Sequence, residues 1–460
     1  MAAIPPLPLD LGLRREPFFD DYMLERTSGG LSWELADPVP TGQVFTLDRP
    51  WEGPYTGYFT LIRDGGRYLL YYRGRDHAAD KEFTCLATSA DGIAWQRPSL
   101  GRHAFAGSTD NNILFADDPA LCHNFTPFLD TNPAADSSAR FKGVAGEKEG
   151  LRAYGSPDGI EWRPLQDAPV FTQGVFDSQN VPFWSAAEGC YVLYFRVWTG
   201  EGYHGFRTIA RTTSPDFLNW TPPERMTFGD AAAEHLYTNA TQPYPPAPHL
   251  SVALASRFVP GRQWLDHATA AAAGVLDGRE GDVSDLVFLT TRGGNRYQRQ
   301  FPQALVRPGP EPTDWVGRSN MAALGLLELP GDRIGFYRQH GYGTTRNRIE
   351  LMTVRTDGFA RLRAGAKPGM ALTRPFIAAG ERLCLNFATS ATGTVKVEAL
   401  TAEGRPIPGF SGRSAPVLFG DAVMHPVTWK KSRAWSQLAG QPIRLRFTLR
   451  EADLFAMQQS

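Results

Sequence analysis

The sequence predicts an all-β protein, a five-bladed β-propeller followed by a C-terminal β-sandwich. Three observations predict it. A serine–aspartate turn recurs as SADGIAW (Ser89 to Trp95), SPDGIEW (Ser156 to Trp162) and SPDFLNW (Ser214 to Trp220). Looser copies follow as TTRGGNRY (Thr290 to Tyr297) and RTDGFARL (Arg355 to Leu362), with start-to-start spacings of 58 to 76 residues. Short strand pairs precede these turns, and the repeat stops near residue 366.

Residues 1–49, containing FFDDYML (Phe18 to Leu24), form a segment that packs on the propeller or closes its ring. Residues 50–365 carry the blades. Each blade has a hairpin signal, two alternating or apolar runs around a polar turn. The clearest are YFTLIRDGGRYLLYYRG (Tyr58 to Gly74), GCYVLYFRVW (Gly189 to Trp198) and GLLELPGDRIGFYRQH (Gly325 to His340). ARFKGVAG (Ala139 to Gly146) and LSVALASRF (Leu250 to Phe258) hold the matching place in the other two units. Asp and Gly in each repeated turn supply the tight bend, and the following aromatic opens the next strand. Five radially repeated four-stranded sheets make a propeller. One Ala-rich stretch, Trp264 to Val275, reads as a helix inserted in the fourth blade. From 366 to 460, LCLNFATS, GTVKVEALT and PIRLRFTL alternate with Gly/Pro turns, the texture of a β-sandwich.

Composition removes several function classes. The net charge is -1, and the basic residues are scattered rather than striped, so nucleic acid is not the expected partner. No run of about 18 apolar residues exists to span a membrane. Cys85, Cys122, Cys190 and Cys384 follow no metal-ligand spacing and are expected to be free thiols. No metal or other cofactor is expected. The first residues lack a basic-then-apolar leader, which fits either a cytoplasmic protein or a mature form with its leader removed. The sandwich either packs on the propeller or mediates a homo-oligomer.

Candidate site residues come from position. The inner strand of a propeller blade begins at the channel mouth, and five lead-in segments place polar groups there: Glu52, His123 with Asn124, Asp177 with Gln179 and Asn180, Glu234 with His235, and Arg318 with Asn320. Second strands end in Arg73, Arg196, Arg257 and Arg338, with His340 nearby, which either grip an acidic sugar or bridge blades. Glycoside hydrolysis needs an acid and a second carboxylate, and Asp177, Glu234 and Glu52 can supply them, with Asp20 or Asp21 in reserve. His123, His235 and Tyr237 would serve a lyase instead. In each case the structural alternative is a polar cap on a strand end.

FFDDYML, HNFTPFLDTNP, FDSQNVPFW, EHLYTNATQPY, SDLVFLTTRGG and IRLRFTLREADLFAMQ resemble bacterial proteins of the glycosyl-hydrolase-family-32-like group, over nearly the whole chain. The resemblance implies a place near the five-bladed glycosidases of families 32, 43 and 68. By position, Asp177 takes a mid-propeller acidic place, Glu234 that of the general acid, and Asp21 or Glu52 the first-blade carboxylate. The invertase motifs W-x-N-D-P-N-G, R-D-P and E-C are absent. The aspartate turn resembles the Asp-box of sialidases at a different spacing, and is read as structural.

The expected function is an exo-acting glycoside hydrolase on a terminal furanoside or a uronic-acid-containing glycan. The alternatives are a non-catalytic carbohydrate-binding propeller and a sugar lyase using His and Tyr.

Overall fold

A computed structural model describes residues 7–430 and 433–460. Five four-stranded antiparallel sheets form the blades of a five-bladed propeller. Their inner strands are Gly57–Asp64, Thr126–Leu129, Val181–Ser185, Thr241–Tyr244 and Leu327–Leu329. The last blade takes its outermost strand, Val39–Thr46, from near the N-terminus, paired with Arg348–Arg355. Strand hydrogen bonds rather than a covalent link therefore close the ring.

The aspartate turns follow the third strands, at the end away from the mouth, and repeat one geometry. The Asp91 carboxylate accepts from the Ile93 and Ala94 amides at 2.8 Å each, while Ser89 Oγ accepts from Gly92 N at 3.0 Å. Asp158 and Asp216 make the same set. Tyr71 of the first blade donates to Gly159 O at 2.6 Å, and Tyr337 of the fifth to Gly92 O at 2.7 Å. The turns stitch neighbouring blades, as their structural reading expected. The inserted helix is shorter than its Ala-rich stretch, His267–Ala272, capped by Asp266.

The described residues divide into two compact units, residues 38–329 with 335–353, and residues 7–37, 330–334, 354–430 and 433–460. The second unit is one eight-stranded sheet built on Leu24–Leu35, Ala360–Thr373, Pro442–Gln459 and Leu383–Thr401. Its register breaks at Gly29–Leu31, Ala364–Gly369 and Thr389–Thr394 lie across from one another. The sheet creases along that line. Leu362 and Leu454 from one half and Ala371, Phe447 and Leu449 from the other share one core. The sandwich is thus a folded sheet rather than two stacked ones. Glycine is required at the crease, since a Cβ on Gly29 would meet Pro368 O at 2.7 Å.

No helix among the described residues is long and apolar enough to cross a membrane. Cys85, Cys122 and Cys384 are buried, Cys190 is half-buried, and all four are free thiols.

Candidate active site

The inner strands start irregularly, and this aims the side chains at the mouth. In the first blade the register slips between Gly57 and Thr60, leaving Tyr58 at φ 55°. In the fourth, His235–Leu236 and Thr241–Tyr244 both pair with Ala247–Val259, and Tyr237 sits in the gap between them. Ala240, Arg318 and Asn320 also have positive φ, at 43°, 68° and 64°. Non-glycine residues in this region carry strain and persist only where surroundings over-determine them.

The two tyrosines meet. Their hydroxyl oxygens are 3.3 Å apart, and the single Tyr58 proton has a second acceptor in reach, the main-chain oxygen of Asp177 at 3.2 Å, when it is not given to Tyr237. They lie in an aromatic bed with Tyr55, Phe258, Met321 and Tyr342. Arginines surround the pair. The guanidinium carbons of Arg196 and Arg318 are each 5.1 Å from the Tyr237 ring centre, Arg207 is 5.9 Å away, and Arg73 lies 4.6 Å over Tyr58. Burial works to raise the Tyr237 phenol, but the charges of Arg318 and Arg196, the bond from Tyr58 and the charge of Arg73 outweigh it and bring it down to about 8. Burial, reinforced by Tyr237, holds Tyr58 well above the usual phenol range. Two hydroxyls in contact are driven apart in acidity.

Carboxylates are fewer than cations here. Asp177 pairs with Arg196, its carboxylate 44% exposed at the mouth. Glu82 lies 3.4 Å from Arg73 and 2.7 Å from His123 Nδ1. Burial opposes the charged form of Glu82, yet the His123 bond and the Arg73 charge hold it below the usual carboxylate range. Glu147 meets His123 Nε2 at 3.2 Å. Among the described residues no carboxylate forms an ion pair with Arg207 or Arg318. The buried Nε atoms of Arg73, Arg196, Arg207 and Arg318 all lack a hydrogen-bond partner.

The other predicted residues lie elsewhere. Glu52 is fully buried and accepts from Tyr72 at 2.6 Å, from Arg97 at 2.7 and 2.9 Å, and from the Arg49 amide at 3.0 Å. Glu234 is held by Arg299 at 2.9 Å and Arg257 at 3.3 Å, beside a groove of 310 Å3 that also contains Phe206 and Met226. Arg257 pairs further with Asp285 at 2.6 Å. Arg338 donates to Asn320 Oδ1 at 3.0 Å and lies 3.4 Å from Asp314, while His340 is buried between Asp314 at 2.8 Å and Glu350 at 3.1 Å. His235 Nδ1 accepts from the Arg207 amide at 3.1 Å; burial first, and Arg207 next, lower its pKa. Asp21 belongs to the other unit, exposed in the turn before Leu24, and Asp20 is buried there.

The predicted amides form a separate collar. Asn124 donates to Gly146 O at 3.0 Å and Ser178 O at 3.1 Å, Asn180 to Phe176 O at 3.1 Å and Ser178 O at 2.9 Å, and Asn320 to Ser284 O and Asp314 O at 2.7 and 2.9 Å. Gln179 donates to Phe59 O and Thr60 Oγ1 at 3.1 and 3.0 Å, joining the third blade to the first. Apart from the bond to Thr60 Oγ1, these donors hold main chain. Behind the collar lies a mostly apolar central cavity of 400 Å3, lined by residues such as Thr60, Leu129, Val181, Thr241 and Leu324 from all five blades.

The structure therefore brings together Tyr237, Arg73, Arg196, Arg318, Asp177 and His123. Tyr58, Glu82 and Arg207 join them unanticipated. Tyr58 stands in the lead-in WEGPYTGYF, where it reads as an ordinary strand aromatic, and nothing in the pattern marks Arg207, the first residue of a third strand.

No known protein-family profile matches the chain, and no curated protein matches it. Among solved structures it is similar to a glycoside hydrolase at 12% identity over 68% of this chain and 92% of that one, with a TM-score of 0.46. An N-acetylgalactosamine deacetylase from F. plautii, in complex with blood group B trisaccharide, is 13% identical over 75% and 96%, with a TM-score of 0.42. A structure from the GH130 family of mannoside phosphorylases is 14% identical over 74% and 96%, with a TM-score of 0.42. The chemistry of this chain is read from its own residues.

Proposed function

We propose that the protein cleaves glycosidic bonds in a glycan held at the propeller mouth, with the Tyr58–Tyr237 pair moving the proton. The observation that carries this is the pair itself: two phenols 3.3 Å apart, one lowered to about 8 and the other raised. Titratable neighbours pushed apart in this way divide into a base and an acid. Tyr237 is the base near neutral pH, and Tyr58 keeps its proton to donate. The glycan is suggested by the rim, where Tyr203 (65% exposed) and Trp264 (57%) stand on mouth-side loops and offer flat faces for sugar rings.

A second, hydrolytic reading keeps Asp177, whose half-exposed carboxylate stands at the same mouth. It needs a second acid or base about 5 to 9.5 Å away. Glu52 and Glu234 have their oxygens occupied by arginine, tyrosine and main-chain donors.

A panel of plant, algal and microbial glycans, assayed for new reducing ends, tests both. Tyr237→Phe is expected to lose at least a hundredfold in kcat while its Tm stays near wild type. Wild-type turnover by Tyr237→Phe would sink the tyrosine reading, and loss in Asp177→Asn alone would then favour the hydrolytic one.

A further inference from the structure

We propose that the sugar bound beside the tyrosine pair is a uronate, and that its bond to the next residue breaks by β-elimination. The proposal rests on the reading above, that a glycan is cleaved at this mouth, and names its substrate class.

Four guanidinium groups gather round one hydroxyl pair, and ion pairs account for only two of them, Arg73 with Glu82 and Arg196 with Asp177. Arg207 and Arg318 have aromatic faces as neighbours, Trp198 at 4.4 Å and Phe258 at 4.9 Å for the first, Tyr237 for the second. A protein that holds unpaired guanidinium groups against apolar rings has prepared a place for an anion. Their planar forks match a carboxylate. The charge of Asp282 also reaches Arg207, and the phenols of Tyr237, Tyr342 and Tyr58 face Arg318; the unpartnered Nε atoms of both leave donors for a ligand oxygen.

The tyrosine spacing selects the reaction. Paired groups in retaining glycosidases stand about 5 to 5.5 Å apart and in inverting ones about 6.5 to 9.5 Å, to act on opposite sides of one carbon. Here 3.3 Å separates the oxygens. That suits a proton on one carbon and an oxygen on the next, presented on one face. Arginines on the carboxylate spread the charge that develops when the neighbouring proton leaves. Tyr237, as phenolate, takes the hydrogen from C5, next to the carboxylate. That bonding pair becomes the C4=C5 double bond. The C4–O bond breaks, and the leaving oxygen takes the proton from Tyr58. Tyr237 is left neutral and Tyr58 ionised; one proton passed along their hydrogen bond restores both. Nothing is oxidised or reduced, and no water is consumed.

Two measurements on the full chain test this. D-Glucuronate and D-galacturonate are titrated against glucose and galactose, following the ultraviolet band of tyrosinate. The uronates are expected to move the lowest tyrosine titration upward, because the phenolate then shares its cations with a second anion, while the neutral sugars leave it in place. Arg207→Gln and Arg318→Gln are each expected to weaken the uronate effect at least tenfold. Equal behaviour of charged and neutral sugars would overturn the uronate assignment. Polygalacturonate, alginate and hyaluronan are then compared with arabinan, levan and xylan, reading reducing ends and the absorbance of a conjugated double bond together. Both signals on hyaluronan or the mannuronate blocks of alginate, where the C5 hydrogen and the C4 oxygen share a face, support elimination by this pair; both signals on polygalacturonate alone, where they are opposed, would overturn the one-face geometry. Reducing ends without the conjugated product would overturn elimination and leave cleavage standing, and cleavage confined to neutral polymers would overturn the uronate class. Absence of cleavage throughout, with uronates still shifting the tyrosine, would sink the cleavage reading and elimination with it, leaving the ligand assignment.

Discussion

Replacing Arg318 by methionine removes a charge from the mouth and keeps an unbranched apolar stem. The guanidinium carbon lies 5.1 Å from the centre of the Tyr237 ring. Two unit charges about 5 Å apart at an effective dielectric of ~20 interact by roughly 3 kcal/mol. Each tenfold change in an ionisation constant is about 1.4 kcal/mol, so complete loss is worth up to about a hundredfold. Water around the half-buried Arg318 screens part of this, which brings the expected change closer to tenfold. The Tyr237 midpoint should therefore rise from about 8 toward the ordinary phenol value near ~10. The assay is the tyrosinate absorbance of the folded protein during a pH titration. The window is clean from the buried side, since burial pushes Tyr55 up to about 12 and Tyr58, Tyr72 and Tyr297 well above the usual range. A wild-type protein with no tyrosinate forming below pH ~9 would refute the electrostatic account. So would an unchanged first midpoint in Arg318→Met.

The same phenol links stability to pH. Its folded-state value is depressed, so its contribution is fully present above about 10, the unfolded value, and is lost as pH falls through about 8. The Tm gap between wild type and Arg318→Met should widen from pH 7 to pH 10. Glu52→Ala leaves Arg97 with Asp48 at 3.6 Å and the Thr46 carbonyl, but takes the acceptor from the buried Tyr72 hydroxyl, and is expected to cost about 1 to 3 kcal/mol in urea unfolding while leaving the first tyrosine midpoint in place. A shift of that midpoint would place Glu52 in the mouth chemistry after all. A thiol reagent should label Cys190 alone in the native protein and all four cysteines after denaturation, because burial raises the Cys85 and Cys122 thiols and shields them.

The repeat made the blades legible because one turn geometry, one serine and one aspartate, is reused at the end of three third strands. The candidate site was legible in position but not in role. Arg73, Arg196, Arg257 and Arg338 hold equivalent places in their blades, yet two face the tyrosines and two meet Asp285 and Asp314, carboxylates supplied by neighbouring strands and loops. Pattern shows where a second strand ends, and it does not show what a loop folds against it. Asn124, Gln179 and Asn180 looked like sugar ligands because they are polar at strand starts. An irregular strand start leaves main-chain carbonyls without ladder partners, and buried carbonyls must be satisfied, so these amides hold backbone. Tyr58 passed as an ordinary strand aromatic, since a left-handed backbone in a tyrosine leaves no compositional mark.

Strain and collar are two parts of one arrangement, and Asn320 lets them be separated. It has φ 64°, donates to the carbonyls of Ser284 and Asp314, and accepts from Arg338 at 3.0 Å. Alanine loses these bonds and keeps the unfavourable backbone. Glycine loses the same bonds but adopts positive φ freely. Each buried group left unpaired costs about 1 to 3 kcal/mol in either variant. If the strand starts hold real backbone strain, Asn320→Gly should be the more stable of the two by about 1 kcal/mol, despite the greater entropy of glycine in the unfolded chain. Urea unfolding of both variants measures the difference directly. Equal stabilities would mean that the left-handed geometry costs little, and the collar would then have nothing to hold in place beyond the carbonyls it satisfies. A more stable glycine variant that also broadens the Tyr237 titration would tie the strain to the mouth, because Arg318, two residues away in the same lead-in, is one of the charges that set it.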